Sequence, residues 1–270
     1  MPLSSNHTDS SSGWTIVQIS DTHLMDQDDL EFAAMNPEQS FHAVIQHMRQ
    51  HLPDIDAIIH TGDLAQVPVS ETYDRYLRFM QTLNLPHFQI PGNHDDTAIF
   101  PFHRQQDRAH MLSFGNWRLI LLNSAVEGKV DGWVAQEQLE QLDQMLSEQA
   151  DQHIIIACHH HPFAMQSFWI DQHKLKNADH LLDVIAKHQN VKAVLYGHVH
   201  QDSRNERHGV QFLSTPSTSV QFKPHSDSFA LDESMPGYRV LNLKENGEFS
   251  THVIRVKINQ PKINVEISGY

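Results

Sequence analysis

The 270-residue sequence reads as an α/β protein. Two observations carry that expectation. Short β-branched apolar runs alternate with stretches whose apolar residues recur at helical spacing, the rhythm of βαβ units. The rhythm occurs twice, giving two βαβ-like halves with neither a low-complexity linker nor a short-period repeat between them. At this length one hydrophobic core suffices, so the expected organisation is a single domain over residues 14–256. A polar, disordered tail over residues 1–13 precedes it and a C-terminal tail over residues 257–270 follows.

The elements follow in chain order. Residues 14–20 (WTIVQIS) form the first strand, and Asp21-Thr22-His23 follows it directly. Asn36 as cap, Pro37 at the first helical position and Gln39 three residues after the cap open a helix. Its stripe is Phe41, Val44, Ile45, Met48 and Leu52, and it ends near Pro53. Residues 57–60 make a strand running into Thr61-Gly62-Asp63, and Ser70 caps a helix with the stripe Tyr73, Tyr76, Leu77, Met80 and Leu83. A third strand, 88–90, is broken by Pro91-Gly92-Asn93-His94-Asp95-Asp96. In the second half, strands 111–114 and 117–122 flank a Gly115-Asn116 turn, and residues 136–147 are helical. Strand 153–158 ends in His159-His160-His161-Pro162; helix 179–188 and strand 191–196 follow, the latter ending in Gly197-His198-Val199-His200. Strands 210–214, 238–243 and 249–256 complete the chain, the last two joined by Asn246-Gly247.

Composition narrows the function. Hydrophobic residues at 39% and charged ones at 19% describe a soluble, globular chain. A net charge of −14 argues against nucleic acid and anionic membranes as partners. The single Cys158 allows no intrachain disulfide and packs as a small apolar strand residue. No apolar run reaches the roughly 18 residues of a spanning helix, and the polar start is no signal peptide, so the expected location is cytoplasmic. The outlying number is 22 His, more than the 19 Lys and Arg, many of them in clusters; clustered imidazole suggests metal.

Five apolar strands each end in metal-competent residues: Asp21 and His23, Asp63, Asn93 and His94, His159, then His198 and His200. In α/β sheets ligands bind where the carboxyl ends of strands present converging loops. The carboxylates, the amide oxygen and the imidazoles among them suit Fe, Mn or Zn and exceed what one ion needs; with one carboxylate bridging, two ions fit, at the roughly 3.5–4 Å spacing of two-metal hydrolases. Within His159-His160-His161, alternation along an extended segment keeps all three from being ligands together. His42, His47 and His51 read as the solvated face of a helix, as do His103, His110, His180 and His188, and residues 26–29 as a solvated acidic loop. Trp169 and Phe222 either cover the core or stack on a purine.

The motifs Asp21-x-His23, Gly62-Asp63, Gly92-Asn93-His94-Asp95, His159 and Gly197-His198-x-His200 resemble, in order and spacing, the calcineurin-like metallophosphoesterase superfamily. A closer resemblance, to bacterial class III cyclic AMP phosphodiesterases, spans nearly the whole chain. It rests on residues 20–24 (SDTHL), 62–65 (GDLA), 159–162 (HHHP), 169–173 (WIDQH) and 214–224 (STPSTSVQFKP). The resemblance implies a four-layer α/β/β/α sandwich. It implies that Asp21, His23, Asp63 and His200 hold one ion and Asp63, Asn93, His159 and His198 the other, with Asp63 bridging. It places His94 beside the scissile phosphate, with His23, Asp63, Asn93, His159 and His200 also lining the substrate, and makes Asp63 and His94 the catalytic pair. The implied reaction is hydrolysis of 3′,5′-cyclic AMP to 5′-AMP by a metal-bridged hydroxide, lowering intracellular cyclic AMP, with two divalent cations, Fe²⁺ or Mn²⁺ before Zn²⁺, as cofactors. Alternatives on the same scaffold are a phosphomonoesterase, a 2′,3′-cyclic phosphodiesterase or a nucleotide pyrophosphatase, and, from another class, a metal-free interaction module. Departures are Asn123, where relatives often carry Asp, and Asp131-Gly132, where a His-Gly pair is frequent.

Overall fold

The computed structural model describes residues 13–101 and 108–258. The strands are β1 (Gly13–Ile19), β2 (Ala57–His60), β3 (His87–Gln89), β4 (His110–Phe114), β5 (Trp117–Leu121), β6 (His153–Ala157), β7 (Val191–Tyr196), β8 (Arg204–Arg207), β9 (Val210–Ser214), β10 (Gln221–Phe222), β11 (Leu231–Asp232), β12 (Gly237–Lys244) and β13 (Phe249–Arg255). The helices are α1 (Pro37–His51), α2 (Ser70–Gln81), α3 (Gln136–Glu148), α4 (Phe168–Asp171) and α5 (Ala178–Ala186). One sheet has the order β13-β12-β1-β2-β3, a second β4-β5-β6-β7-β9-β8, and β10 and β11 form a separate ribbon. β1, β2 and β3 are mutually parallel, as are β5, β6, β7 and β9.

Alternation along the strands builds the layers. Val17, Ile19 and Ile58 pack with Phe41, Val44, Ile45 and Met48 of α1 and Tyr73, Tyr76 and Met80 of α2. Ile16, Ala57 and Ile59 face the other way, against Leu119, Leu121, Ile155, Ala157 and Leu195 of the second sheet. Beyond that sheet, Ile154, Ile156 and Val194 meet Leu139, Leu142 and Leu146 of α3 and Leu181 and Ile185 of α5. The result is the four-layer α/β/β/α sandwich, and it explains why central strands such as His153–Ala157 are continuous apolar runs: both of their faces are covered. Each fully buried Ile or Leu of the middle layer contributes about 1.5–3 kcal/mol.

α1 begins as its sequence requires: Asn36 Oδ1 accepts from Gln39 N at 2.8 Å, and the helix closes at Leu52, before Pro53. α2 starts one residue earlier than expected. Val69, not Ser70, is the cap, because its carbonyl receives the first helical N–H bonds, from Thr72 and Tyr73. β8, α4, β10 and β11 have no counterpart in the sequence reading. β8 is four exposed residues on the sheet edge, and the other three are two to four residues long, too short for periodicity to register. His42 and His47 are not simply solvated: His42 stacks on Phe79 at 3.9 Å and His47 Nδ1 lies 3.2 Å from Tyr238 Oη. His188 pairs with Asp143 at 2.6 Å, clamping the end of α5 to α3. Residues 1–12 and 259–270 of the two expected tails, and His103, lie outside the described residues, whereas Gly13 pairs with Lys244 in β1.

Candidate metal centre

The carboxyl ends of β1, β2 and β3 meet those of β6 and β7 at one edge of the sandwich. The chain leaves these strands through sharp bends. Asp21 (φ 54), His23 (φ 51), Asp63 (φ 53), His198 (φ 67) and His200 (φ 49) all lie in the left-handed region. That region costs a residue with a side chain on the order of 1–3 kcal/mol and is retained where a site requires it. Five of the seven expected ligands carry this strain. Close approach reinforces the point at Gly197, where a Cβ would stand 2.0 Å from Ser20 Oγ and 2.7 Å from Asp21 Oδ2.

Asp63 lies at the middle. Its Oδ2 is 3.3 Å from His159 Nε2 and 3.7 Å from His23 Nε2, while its Oδ1 accepts from His94 N at 2.8 Å. Asp21 Oδ1 is 3.4 Å from His200 Nε2, and the Asp21 carboxylate accepts from His198 N at 3.0 and 3.1 Å. The His198 ring lies 5.1 Å from that of His159. Asp21, His23, Asp63, His159, His198 and His200 are buried, and Asn93 and His94 are half-buried, forming the open side. All the residues singled out at the strand ends therefore come together. Their ligand atoms fall into overlapping groups of three, among them Asp21 with His23 and His200, Asp21 with Asp63 and His159, and His23 with Asp63 and His94.

The tautomers fit cations. His23 Nδ1 donates to Gln66 Oε1 at 2.8 Å, His159 Nδ1 to Thr61 O at 2.7 Å and His200 Nδ1 to Val220 O at 2.7 Å. Each bond uses the Nδ1 proton and leaves Nε2 turned to the middle of the site, where it can hold either a proton or a metal ion. Yet His23 Nε2 faces His200 Nε2 at 3.2 Å, and His159 Nε2 faces Asn93 Oδ1 at 3.2 Å. Acceptor opposite acceptor in a buried site is unfavourable without a positive charge between them. His198 Nε2, likewise buried, has no hydrogen-bond partner among the described residues. In the metal-free chain a proton supplies that charge: burial pushes the His159 imidazole down, but Asp63 outweighs it and raises the ring to about 9. Burial pushes the Asp21 carboxyl up, but His200 and His159 outweigh it and hold the group below its ordinary value; at Asp63 burial is outweighed in the same way by His159 and His94. Burial drives His23 and His198 well below the usual imidazole value, so both rings are neutral, the form in which an imidazole can bind a cation.

His160 departs from the alternation argument. β6 ends at Ala157, so His159, His160 and His161 follow in bends, all three are buried, and His160 joins His159 and His198 in one group of donors. Both of its ring nitrogens are engaged by protein, Nδ1 with Ser124 Oγ at 2.8 Å and Nε2 with Val130 O at 3.1 Å. Phe222 is 2% exposed and stacks on the His200 ring at 3.8 Å, while Trp169 packs on Phe222 and Phe229; Phe222 is thus no platform for a purine. Asp95 has a part that sequence reasoning missed. Its carboxylate accepts from Leu64 N, Ala65 N, Gly92 N and Tyr73 Oη, tying the loop after β2 to the loop after β3. Its signal was its place in Asn93-His94-Asp95, where a strand has already ended and nothing in the pattern distinguishes a buried carboxylate from a turn former.

The sequence pattern of the calcineurin-like phosphoesterase family matches residues 15–202. The 3′,5′-cyclic adenosine monophosphate phosphodiesterase CpdA of Haemophilus influenzae is 37% identical over 259 residues, covering 94% of this chain and 94% of that protein. Its namesake from Escherichia coli is 36% identical over 265 residues, with the same coverage of both. Among solved structures, a dimetal phosphatase from Danio rerio is similar with a TM-score of 0.57 at 18% identity, over 90% of this chain and 99% of that one, a likeness of fold.

Proposed function

Because this chain belongs to the calcineurin-like phosphoesterase family, we propose that it hydrolyses 3′,5′-cyclic AMP to 5′-AMP with the help of two divalent cations. Fe²⁺ or Mn²⁺ is the preferred pair, ahead of Zn²⁺, and the process served is the lowering of cytoplasmic cyclic AMP. The observation that carries the reading is the convergence of two aspartates, an asparagine and four histidines on one edge of the sandwich. It occurs in a chain more than a third identical, over 94% of both lengths, to relatives bearing that activity in their names. Among the described residues no helix is long and apolar enough to cross a membrane.

Asp21, His23, Asp63 and His200 would hold one cation, and Asp63, Asn93, His159 and His198 the other, with Asp63 shared. Bound there, the cations supply positive charge to the phosphoryl oxygens and lower the pKa of water from about 15.7 towards about 7. The protein's share is orientation. Gln66, Thr61 and Val220 fix the ring tautomers, and the left-handed bends aim the side chains inward. His94 stands on the open side with its ring 4.9 Å from that of His23 and its backbone N–H bonded to Asp63. From there its imidazole hydrogen-bonds a phosphoryl oxygen or delivers a proton to the departing 3′ oxygen. A surface with a net charge of −14 selects a small phosphodiester over a polynucleotide.

The test is a substrate panel with purified, Mn²⁺-loaded protein: 3′,5′-cyclic AMP, 3′,5′-cyclic GMP, 2′,3′-cyclic AMP, a phosphomonoester and a nucleotide pyrophosphate, with products separated by chromatography. Turnover of cyclic AMP to 5′-AMP is the expected result. Dominant monoesterase or pyrophosphatase activity, or no turnover above a metal-only blank, overturns the proposal.

A further inference from the structure

Residues 214–222 contribute none of the seven proposed ligands, yet every residue of the stretch is buried. Six of them carry polar side chains at 0–1% exposure: Ser214, Thr215, Ser217, Thr218, Ser219 and Gln221. So polar a buried run is costly unless its groups are put to use, and the side chains of Ser214, Ser217, Ser219 and Gln221 are hydrogen-bonded, whereas the Thr215 and Thr218 hydroxyls have no partner among the described residues. Ser217 Oγ donates to the carbonyl of Asp21 at 2.6 Å and accepts from Ser219 N at 2.7 Å. Thr218 N donates to the carbonyl of Ser20 at 3.0 Å. The two carbonyls on either side of the Asp21 nitrogen and Cα, where φ is 54, are therefore both held from the same segment.

The segment then reaches the other sheet's contribution. The Val220 carbonyl accepts from His200 Nδ1, and the Phe222 ring lies nearly parallel to the His200 ring, at 9° and 3.8 Å, so the imidazole can neither flip nor tilt without displacing it. Gln221 secures the path between. Its Nε2 donates to the Ser217 and Ser219 carbonyls at 2.8 and 2.9 Å, and its Oε1 accepts from Arg255 of β13 at 2.7 Å. Asp21 and His200, whose side chains stand 3.4 Å apart, come from different sheets, and this one stretch braces both. His159, by contrast, is oriented by the Thr61 carbonyl.

We infer that residues 217–222 are a positioning strap that sets the affinity of one of the two cation positions, the one served by Asp21 and His200, without governing the other. The inference rests on the ligand assignment proposed above. Ser217 and Phe222 act through their neighbours: one fixes the backbone that aims a carboxylate, the other fixes a ring. Loss of such a partner weakens metal affinity by about 10–100-fold.

The experiment is Mn²⁺ titration of the metal-free full chain, followed by calorimetry and by electron paramagnetic resonance, which separates a coupled ion pair from single ions. In Ser217→Ala and in Phe222→Leu one Mn²⁺ binds as in the unaltered protein, and the other about tenfold or more weakly. His200→Ala loses one ion, and adding Ser217→Ala to it costs no second ion, because both changes act on the same one. If Ser217→Ala does not fold, Phe222→Leu, which leaves every hydrogen bond of the strap in place, decides alone. Unchanged affinity for both ions, or equal weakening of both, overturns the inference. If His200→Ala retains both ions, the ligand assignment itself falls, and the strap has no ion to serve.

Discussion

Substituting Gly92 by alanine tests how tightly the centre is built. A Cβ there would stand 2.1 Å from Asp63 Oδ1 and 2.4 Å from Asp63 N, where ordinary contact begins near 3.4 Å. The shortfall at the carboxylate is 1.3 Å, and it falls on the group proposed to be shared by both cations. Asp63 cannot give way cheaply: it is 1% exposed, its backbone is left-handed and its Oδ1 is bonded to His94 N. A misplacement of about 1 Å in a catalytic group costs about 10²-fold in rate, and overpacking a rigid site costs about 1–3 kcal/mol of stability. Gly92→Ala is accordingly expected to fold with a lowered melting temperature and to turn over cyclic AMP about a hundredfold more slowly at saturating Mn²⁺. Gly128→Asn is the control: Gly128 has φ +68 and, among the described residues, no atom within 4 Å of an added Cβ, and Asn tolerates that conformation, so activity should not change. A Gly92→Ala protein that keeps more than half of the parental kcat would show that the carboxylate has room to move, and the tight fit around Asp63 would be refuted.

Other expectations follow from the same contacts. Asp63→Asn should release both Mn²⁺ ions and abolish turnover, read by metal analysis after desalting, whereas His94→Ala should keep both ions and slow kcat by about 10²-fold or more; equal metal loss in the two variants would contradict this division. Asp95→Ala strands three backbone N–H groups and the Tyr73 hydroxyl in the interior. At about 1–3 kcal/mol for each of these four unsatisfied donors, urea unfolding of the metal-free variant should show at least about 4 kcal/mol lost, and a loss under about 1 kcal/mol would mean that the loops do not depend on it. Chelation should silence the enzyme while leaving the far-ultraviolet circular dichroism unchanged, since the sheets are packed by apolar side chains, and Mn²⁺ or Fe²⁺ should restore it; loss of helix and strand signal on chelation would show that the cations hold the fold.

What is legible in the sequence is whatever carries a period or a chemical contrast. β6 stands out as an apolar run closed by histidines, and α1 as a capped amphipathic stretch, because burial on both faces or on one stripe leaves its mark in residue order. The strand-end residues are legible because carboxylates and imidazoles interrupt those runs abruptly. Long-range partnership leaves no such mark. Asp95 serves donors about thirty residues away, Val220 orients a histidine twenty residues away through a backbone carbonyl, and Ser217 holds a backbone atom 196 residues distant. β8 escapes for another reason: as an exposed edge strand of Arg, Asn, Glu and Arg it needs no apolar face. His160 defies the alternation rule because that rule presumes an extended strand, and the strand has already ended.

The most direct measurement of the paired-cation centre is anomalous diffraction from crystals grown with Mn²⁺. Two peaks about 3.5–4 Å apart are expected, one against Asp21, His23 and His200, the other against Asn93, His159 and His198, with the Asp63 carboxylate between them. A single peak, or manganese bound away from these side chains, would contradict it.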